Sequence, residues 1–287
     1  MSDRIKVLPQ YLMPKLAMTR LAGHYASKPM GGLTTSTIRR FVARYGVNMA
    51  EAAEPDIAAY KTFNDFFTRA LQPGARPLAQ APLVCPVDGS ISQVGRIQGD
   101  QVYQAKGQAF TTTALVGGDA QLAARFTDGL FANLYLSPKD YHRIHMPADG
   151  RLVRMVHVPG ELFSVNPTTA RGVPGLFARN ERVVCVFESE RVGAFVLTLV
   201  GATIVGSMAT VWHGVVNPPR SKRLREWRYD GPDDQPVELA QGAEMGRFLL
   251  GSTVVLLMPN GALRFNPDWA PGRAIRLGEA MADWSSP

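Results

Sequence analysis

Three short stretches hold the residues best suited to chemistry. The first is Gly246-Arg247-Phe248-Leu249-Leu250-Gly251-Ser252-Thr253-Val254-Val255-Leu256-Leu257, a Gly-Ser-Thr set between apolar runs. The β-branched Thr253, Val254 and Val255 suit a buried strand, and Gly251 permits tight backbone geometry just before it. A serine so placed can be a nucleophile if a base reaches it; taken alone it reads as an ordinary hydroxyl at a strand entrance. The second stretch is Asp140-Tyr141-His142-Arg143-Ile144-His145-Met146-Pro147. Two imidazoles within four residues, at the mouth of a turn, suit proton transfer. A His-x-x-His pair can also ligate a metal, but no carboxylate or cysteine cluster nearby completes such a site, so none is expected. The third is Cys85-Pro86-Val87-Asp88-Gly89-Ser90. By itself Asp88 is a turn-forming aspartate. Asp88, a histidine and Ser252 would together make an acid, base and nucleophile set, which is recognised by geometry rather than chain order. There is no Gly-x-Ser-x-Gly elbow, which disfavours an α/β-hydrolase. His24, His157 and His213 read as structural or surface residues.

The elements that must position these residues divide into two regions. In residues 4–22, Ile5, Val7, Leu8, Tyr11, Leu12, Met13, Leu16, Met18 and Leu21 are interrupted by Lys6, Lys15 and Arg20. Pro9 and Pro14 should break any long helix, leaving short amphipathic pieces that fit either an interfacial membrane anchor or a helix packed on the protein's own core. Residues 36–45 read as a helix capped by Ser36, with Ile38, Phe41, Val42 and Tyr45 on one face and Arg39, Arg40 and Arg44 elsewhere. Residues 56–71 read as a third helix from Ile57, Tyr60, Phe63, Phe66, Phe67 and Leu71, ended by Pro73, Gly74 and Pro77. The boundary of this helical region is set near residue 78. Beyond it, β-rich runs broken by Gly and Pro dominate: 84–97, 101–110, 151–158, 182–188, 194–205, 208–216 and 253–258, with one helical patch near 119–126. The expectation is an α+β chain whose body is a mostly β, barrel-like sandwich behind an N-terminal helical region. Pro86-Val87-Asp88-Gly89 and Pro147-Ala148-Asp149-Gly150 head similar runs at an offset of 61, an internal echo that would suit a body built from related halves, or a chance match of two Pro-x-Asp-Gly turns.

The 287 residues are 46% hydrophobic, enough for a large core. Cys85 and Cys185 form no Cys-x-x-Cys pair, which points away from a zinc site or redox dithiol and toward a reducing, cytoplasmic-side protein. No run of about 18 apolar residues spans a bilayer, and no signal peptide is visible. The net charge is +7, and residues 1–50 hold eight Lys/Arg against the single acid Asp3. So basic an N-terminal region points to an anionic partner, nucleic acid or membrane.

The chain resembles the phosphatidylserine decarboxylases of the bacterial proenzyme type. The resemblance rests on Phe63–Arg69 (FNDFFTR), Pro86–Gly89 (PVDG), Tyr141–Pro147 (YHRIHMP), Phe163–Asn166 (FSVN), Leu176–Arg182 (LFARNER), Val200–Ser207 (VGATIVGS) and Gly246–Thr253, in the family's order over roughly 60–258. It implies self-cleavage between Gly251 and Ser252 into a β chain, 1–251, and an α chain, 252–287, which stay associated. Asp88, His145 and Ser252 would serve as orienter, base and nucleophile. Ser252 would become a covalent pyruvoyl cofactor that forms a Schiff base with phosphatidylserine, and His142 would take part in decarboxylation to phosphatidylethanolamine. Residues 1–78 would then be the basic docking region and 79–287 the catalytic domain, peripheral on the cytoplasmic side of the inner membrane. A homodimer is expected, and no nucleic acid. A serine hydrolase acting on lipid esters without self-cleavage uses the same three residues and is the competing expectation; a basic nucleic-acid-binding β-domain has no basic, aromatic-laced β-surface in its favour.

Overall fold

The computed structural model describes residues 3–105, 107–204, 207–218, 220–232, 235–249 and 253–285. The centre of the molecule is the strand Thr253–Met258, buried along its whole length. It pairs antiparallel with Leu130–Tyr135 on one side and Gly193–Val200 on the other. Strand alternation sends Val255 and Leu257 to one face and Val254, Leu256 and Met258 to the other, so both faces must be covered. A nine-stranded antiparallel sheet is built outward from this strand, and it ends in two edges rather than closing on itself. On the Val254 face lie a three-stranded and a four-stranded sheet, which contribute Leu83, Ile144, Met208, Phe248 and Met281. On the Val255 face lie helices and the hairpin Gln101–Ala105/Gln108–Thr111, which contribute Phe66, Phe110 and Phe177, and an irregular segment that contributes Phe163. The result is the expected α+β architecture: helices, a large sheet, then small sheets.

The repeat at offset 61 is a real structural duplication. The strands Gly89–Arg96 and Gly150–Val158 stand at mirrored places in the large sheet, each third from its middle. Both carry a bulge at the equivalent step, between Ile91 and Gln93 and between Leu152 and Arg154. Each Asp-Gly turn docks on a second equivalent segment. Asp88 accepts the Leu277 N–H at 2.9 Å, and Asp149 accepts the Gln241 N–H at 2.7 Å. The copies also bond to one another: Val84 N–H donates to the Pro147 carbonyl and His145 N–H to the Pro86 carbonyl, both at 2.9 Å. Residue 145 of the second copy therefore sits beside the Pro86–Asp88 turn of the first.

The N-terminal region differs from its sequence reading in detail. Helix α1 is Asp3–Leu12 and contains Pro9, whereas Pro14 does separate it from α2, Lys15–Ala26. Helix α3, Gly32–Tyr45, begins four residues before Ser36 and ends at Gly46, whose φ of 69° stops it in the left-handed conformation. The helix expected over 56–71 shrinks to α4, Phe63–Phe67. A capping box fixes its start: Thr62 Oγ1 accepts from Asp65 N–H, and Asp65 accepts from Thr62 N–H. The aromatic residues at helical spacing upstream of it instead pack from irregular backbone, with the Tyr60 hydroxyl held by the Glu54 carbonyl at 2.6 Å.

The first helices pack on the body along one face and expose apolar side chains on the other. Val7 packs against Gly172, Lys15 pairs with Glu161 and lies 4.1 Å over the Phe163 ring, and Thr19 Oγ1 accepts the Ile204 N–H. Ile5, Leu8, Leu12 and Leu21 face outward, Leu12 with 90% of its surface exposed.

Candidate active site

Asp88 ends an extended segment whose buried Val84, Cys85 and Val87 leave it little freedom. Its carboxylate is held from two sides. Arg76 clamps it in a fork, Nε to Oδ1 at 2.9 Å and Nη2 to Oδ2 at 2.6 Å, while the Leu277 amide bonds Oδ1. The same Arg76 Nη2 reaches Glu51 at 2.6 Å. These contacts raise the Arg76 guanidinium above its ordinary value, with the Asp88 bond the largest contribution. No spacing in the sequence marks Arg76 or Glu51, which lie 12 and 37 residues before Asp88.

His145 sits on the strand Arg143–His145, paired to Glu244–Phe248. Its Nδ1 lies 2.8 Å from the Gly242 carbonyl, which can only accept, so Nδ1 carries the proton. Nε2 is then a lone pair, and the Tyr141 hydroxyl donates to it at 3.1 Å. Burial pushes the His145 pKa down, against the weaker upward pull of the Gly242 bond and of Glu244. Burial lifts Tyr141 to about 12, so this pair is a neutral phenol on a neutral imidazole. His145 and Asp88 are neighbours through the Pro86 bond, but no hydrogen bond joins their side chains among the described residues. Gly242 and Tyr141 orient the imidazole; Arg76 and Leu277 orient the carboxylate.

His142 is fully buried. Its ring centroid lies 4.0 Å from that of Phe67, and Nδ1 donates to the Asp140 carbonyl, two residues earlier, at 2.7 Å. Nε2 has no partner among the described residues. Burial drives its pKa to about 3, so it is an uncharged base at neutral pH. Its own carbonyl accepts the Phe248 N–H at 3.0 Å, which ties it to the strand leading toward residue 252. Leu250, Gly251 and Ser252 themselves, the expected cleavage site, lie outside the described residues. Their flanks are fixed: Leu249 N–H donates to the Ser207 carbonyl, and Thr253 sits between Tyr135 and Val200.

Asp88, Ser90 and Tyr141 line a cavity of about 520 Å³, together with Asp140, whose carboxyl is pushed up by burial. Its counterpart in the other half is a cavity of about 710 Å³ around Asp149, Gly150 and Leu239. That half has Val84 where the first has His145, and its strand register sets Ala194, preceded by Gly193, where the first half has Thr253, preceded in sequence by Ser252. Of the two, only the first therefore has a histidine beside its Asp-Gly turn, and only there does the segment 46–76 add a wall with Glu51, Arg69 and Arg76. The remaining histidines match the structural or surface reading: His157 is buried against Glu181 at 2.9 Å, whose other oxygen takes Arg220 at 2.8 Å, and His213 is exposed.

A family model described as phosphatidylserine decarboxylase matches residues 63–283, and a second, described as PSD, matches 5–46. A protein of Polaromonas naphthalenivorans named phosphatidylserine decarboxylase proenzyme is 74% identical over 283 residues, covering 99% of this chain and 98% of that one. Proteins with the same name from Variovorax paradoxus and Dechloromonas aromatica are 74% and 70% identical, over 99% and 98% of both chains. Of the motif residues that carry the resemblance, Arg69, Asp88, Gly89 and Tyr141 line the cavity, and His142 and His145 follow Tyr141 in the chain. The chain belongs to the phosphatidylserine decarboxylase family.

Proposed function

We propose that this enzyme converts phosphatidylserine to phosphatidylethanolamine and CO2 at a pyruvoyl group made from its own Ser252. In this reading the Ser252 hydroxyl attacks the Gly251 carbonyl and displaces the amide nitrogen, which takes up the hydroxyl proton and leaves an ester. Elimination frees the Gly251 carboxylate, and one water replaces the nitrogen of residue 252, which departs as ammonia. The group supplies a ketone that captures the substrate amine and an electron sink for the pair left behind when CO2 departs. The residues present fit that chemistry. His145, with its proton on Nδ1, has its basic lone pair on Nε2, which would exchange the Tyr141 hydroxyl for that of Ser252 to take its proton. Asp88 supports the step from the neighbouring turn. His142 Nε2 is the atom placed to move a proton in the decarboxylation. The observation that best supports this reading is that pair of uncharged histidines, His142 buried and His145 half-buried, bonded to or paired with the strand Glu244–Phe248 that runs toward residue 252.

The same reading makes the protein peripheral, with residues 1–78 a docking region on the body and the segments 1–251 and 252–287 held together. Among the described residues no helix is long and apolar enough to cross a membrane. The outward apolar residues of α1 and α2, with exposed Arg39, Arg40 and Arg44 on α3, suit an anionic bilayer surface, the cytoplasmic face of the inner membrane. An apolar groove of about 580 Å³ between α2 and α3, rimmed by Arg40 and Arg44, has the character to receive an acyl chain. The enzyme is taken to work as a homodimer.

The test is release of labelled CO2 from carboxyl-labelled phosphatidylserine. Wild type should release it and Ser252→Ala should not. Release by Ser252→Ala at the wild-type rate rejects the pyruvoyl; release by neither rejects the substrate.

A further inference from the structure

We propose that Arg69 is the residue that binds the phosphodiester of the substrate headgroup. The proposal rests on the reading of this cavity as a phospholipid headgroup site, and it starts from a cation that the fold leaves uncommitted. Arg69 is 5% exposed and lines the Asp88 cavity. A guanidinium has five N–H donors. Here Nη2 makes one long bond to the Lys139 carbonyl at 3.3 Å, and the buried Nε has no partner. The Phe66 ring lies 5.4 Å from it, and no carboxylate comes within ion-pair distance among the described residues. Burial is the largest influence on its pKa, pulling it down.

The other buried arginine of the cavity behaves differently. Arg76 is fully committed to Asp88 and Glu51. Arg276 lies on the rim at 3.7 Å from Glu51, and Lys139 is exposed. Asp88, Asp140 and Glu51 act on the Arg69 charge only from a distance, without an ion pair; a buried cation with no direct partner is costly, and a protein retains one where an anionic ligand completes it. The duplicated half sharpens the point. Its cavity has no segment like 46–76 and no buried arginine in its wall, so Arg69 belongs to the reacting half alone.

The headgroup offers two oxyanions, a carboxylate and a phosphodiester. A guanidinium clamped on the carboxylate would stabilise the ground state, because that charge disperses as CO2 forms; catalysis favours the reverse. The phosphodiester keeps its charge throughout, and its paired oxygens match the guanidinium fork. Holding it lowers KM without opposing the chemical step.

Binding of sn-glycerol 3-phosphate to the processed enzyme, measured by calorimetry beside kinetics on a soluble short-chain phosphatidylserine, tests this. Glycolate serves as the carboxylate probe. Wild type should bind glycerol 3-phosphate, and the compound should inhibit competitively. Arg69→Gln should weaken that binding and raise KM by roughly tenfold to a hundredfold, the loss of one charge-assisted pair, with kcat within about threefold. Arg69→Lys, which keeps the charge and a donor for the Lys139 carbonyl, should fall between. Glycolate inhibition should not respond to either change. The proposal is overturned if the wild type, while decarboxylating, does not bind glycerol 3-phosphate. It is equally overturned if Arg69→Gln binds it as wild type does, or loses kcat with KM unchanged, since Arg69 then only orders the 137–141 loop. Absence of decarboxylation in the wild type strikes instead at the reaction itself, while the calorimetry still reads the anion site.

Discussion

His145 and His142 are both uncharged bases at neutral pH, for one reason: burial, which outweighs the carbonyl bond each makes through Nδ1. The proposed self-cleavage uses neutral His145, so its rate should hold as pH falls through the ordinary histidine range near 6.5 and decline only below it; a midpoint above 6.5 in a time course of cleavage would contradict this. Stability has a related acid limb. In the unfolded chain His142 takes a proton near 6.5, whereas folded it does so near 3, so the unfolded state binds more protons across that window. Stability should therefore fall as pH drops from about 6.5 to about 3, and His142→Phe should flatten that limb in urea titrations. Arg76 gives a third expectation. Arg76→Ala leaves a buried carboxylate without its cation, costing about 3 kcal/mol, and the protein should remain mostly uncleaved. Arg76→Lys should recover only part, because an ammonium lacks the fork. With Asp88→Asn the effects should be strongly non-additive in a double-mutant cycle; simple additivity would separate Arg76 from Asp88. His142, His145 and Asp88 were legible in the sequence because each lies in a short local motif. Arg76 and Glu51 were not, because their meeting depends on how the 46–76 segment folds over the turn.

At the scale of elements, the duplication was legible as the two Pro-x-Asp-Gly turns, and the strand Thr253–Met258 was readable to the residue from its apolar run. The helix over 56–71 was overread. Aromatic spacing reports which residues are buried, whereas the Thr62–Asp65 capping box decides where the helix starts. The paired glycines permit a direct comparison. A Cβ on Gly89 would overlap the Tyr135 carbonyl oxygen, a backbone atom in the central sheet. A Cβ on Gly150 would lie 3.1 Å from the edge of the Phe195 ring, which can shift. In the uncleaved Ser252→Ala background, Gly89→Ala should cost about 3 kcal/mol and Gly150→Ala about 1 kcal/mol by denaturant titration. Equal costs would mean that the Gly89 turn is free to relax.

For the whole molecule, the basic N-terminal helices pack on the body along one face and leave Leu8, Leu12 and Leu21 exposed on the other, the face proposed to dock on the membrane. Removing 1–22 would strip Val7 and Thr19 from the body, so point changes isolate docking better than deletion. Leu8→Gln, Leu12→Gln and Leu21→Gln together should leave cleavage intact and lower binding to anionic vesicles by roughly tenfold or more, from the apolar area no longer buried. Added salt should weaken the remaining binding further, since it screens the charges of Arg39, Arg40 and Arg44. Unchanged vesicle binding in the triple variant would remove these helices from docking. The central claim, that the chain makes its own carbonyl group at Ser252, is tested most directly by the intact mass of the purified protein under denaturing conditions. The account predicts two species, the smaller comprising residues 252–287 at about 3.9 kDa, the 36/287 share of 31.3 kDa, and lighter by one ammonia than the unmodified segment. A single active species at the full 31.3 kDa, or a small fragment with an intact N-terminal serine, would contradict it.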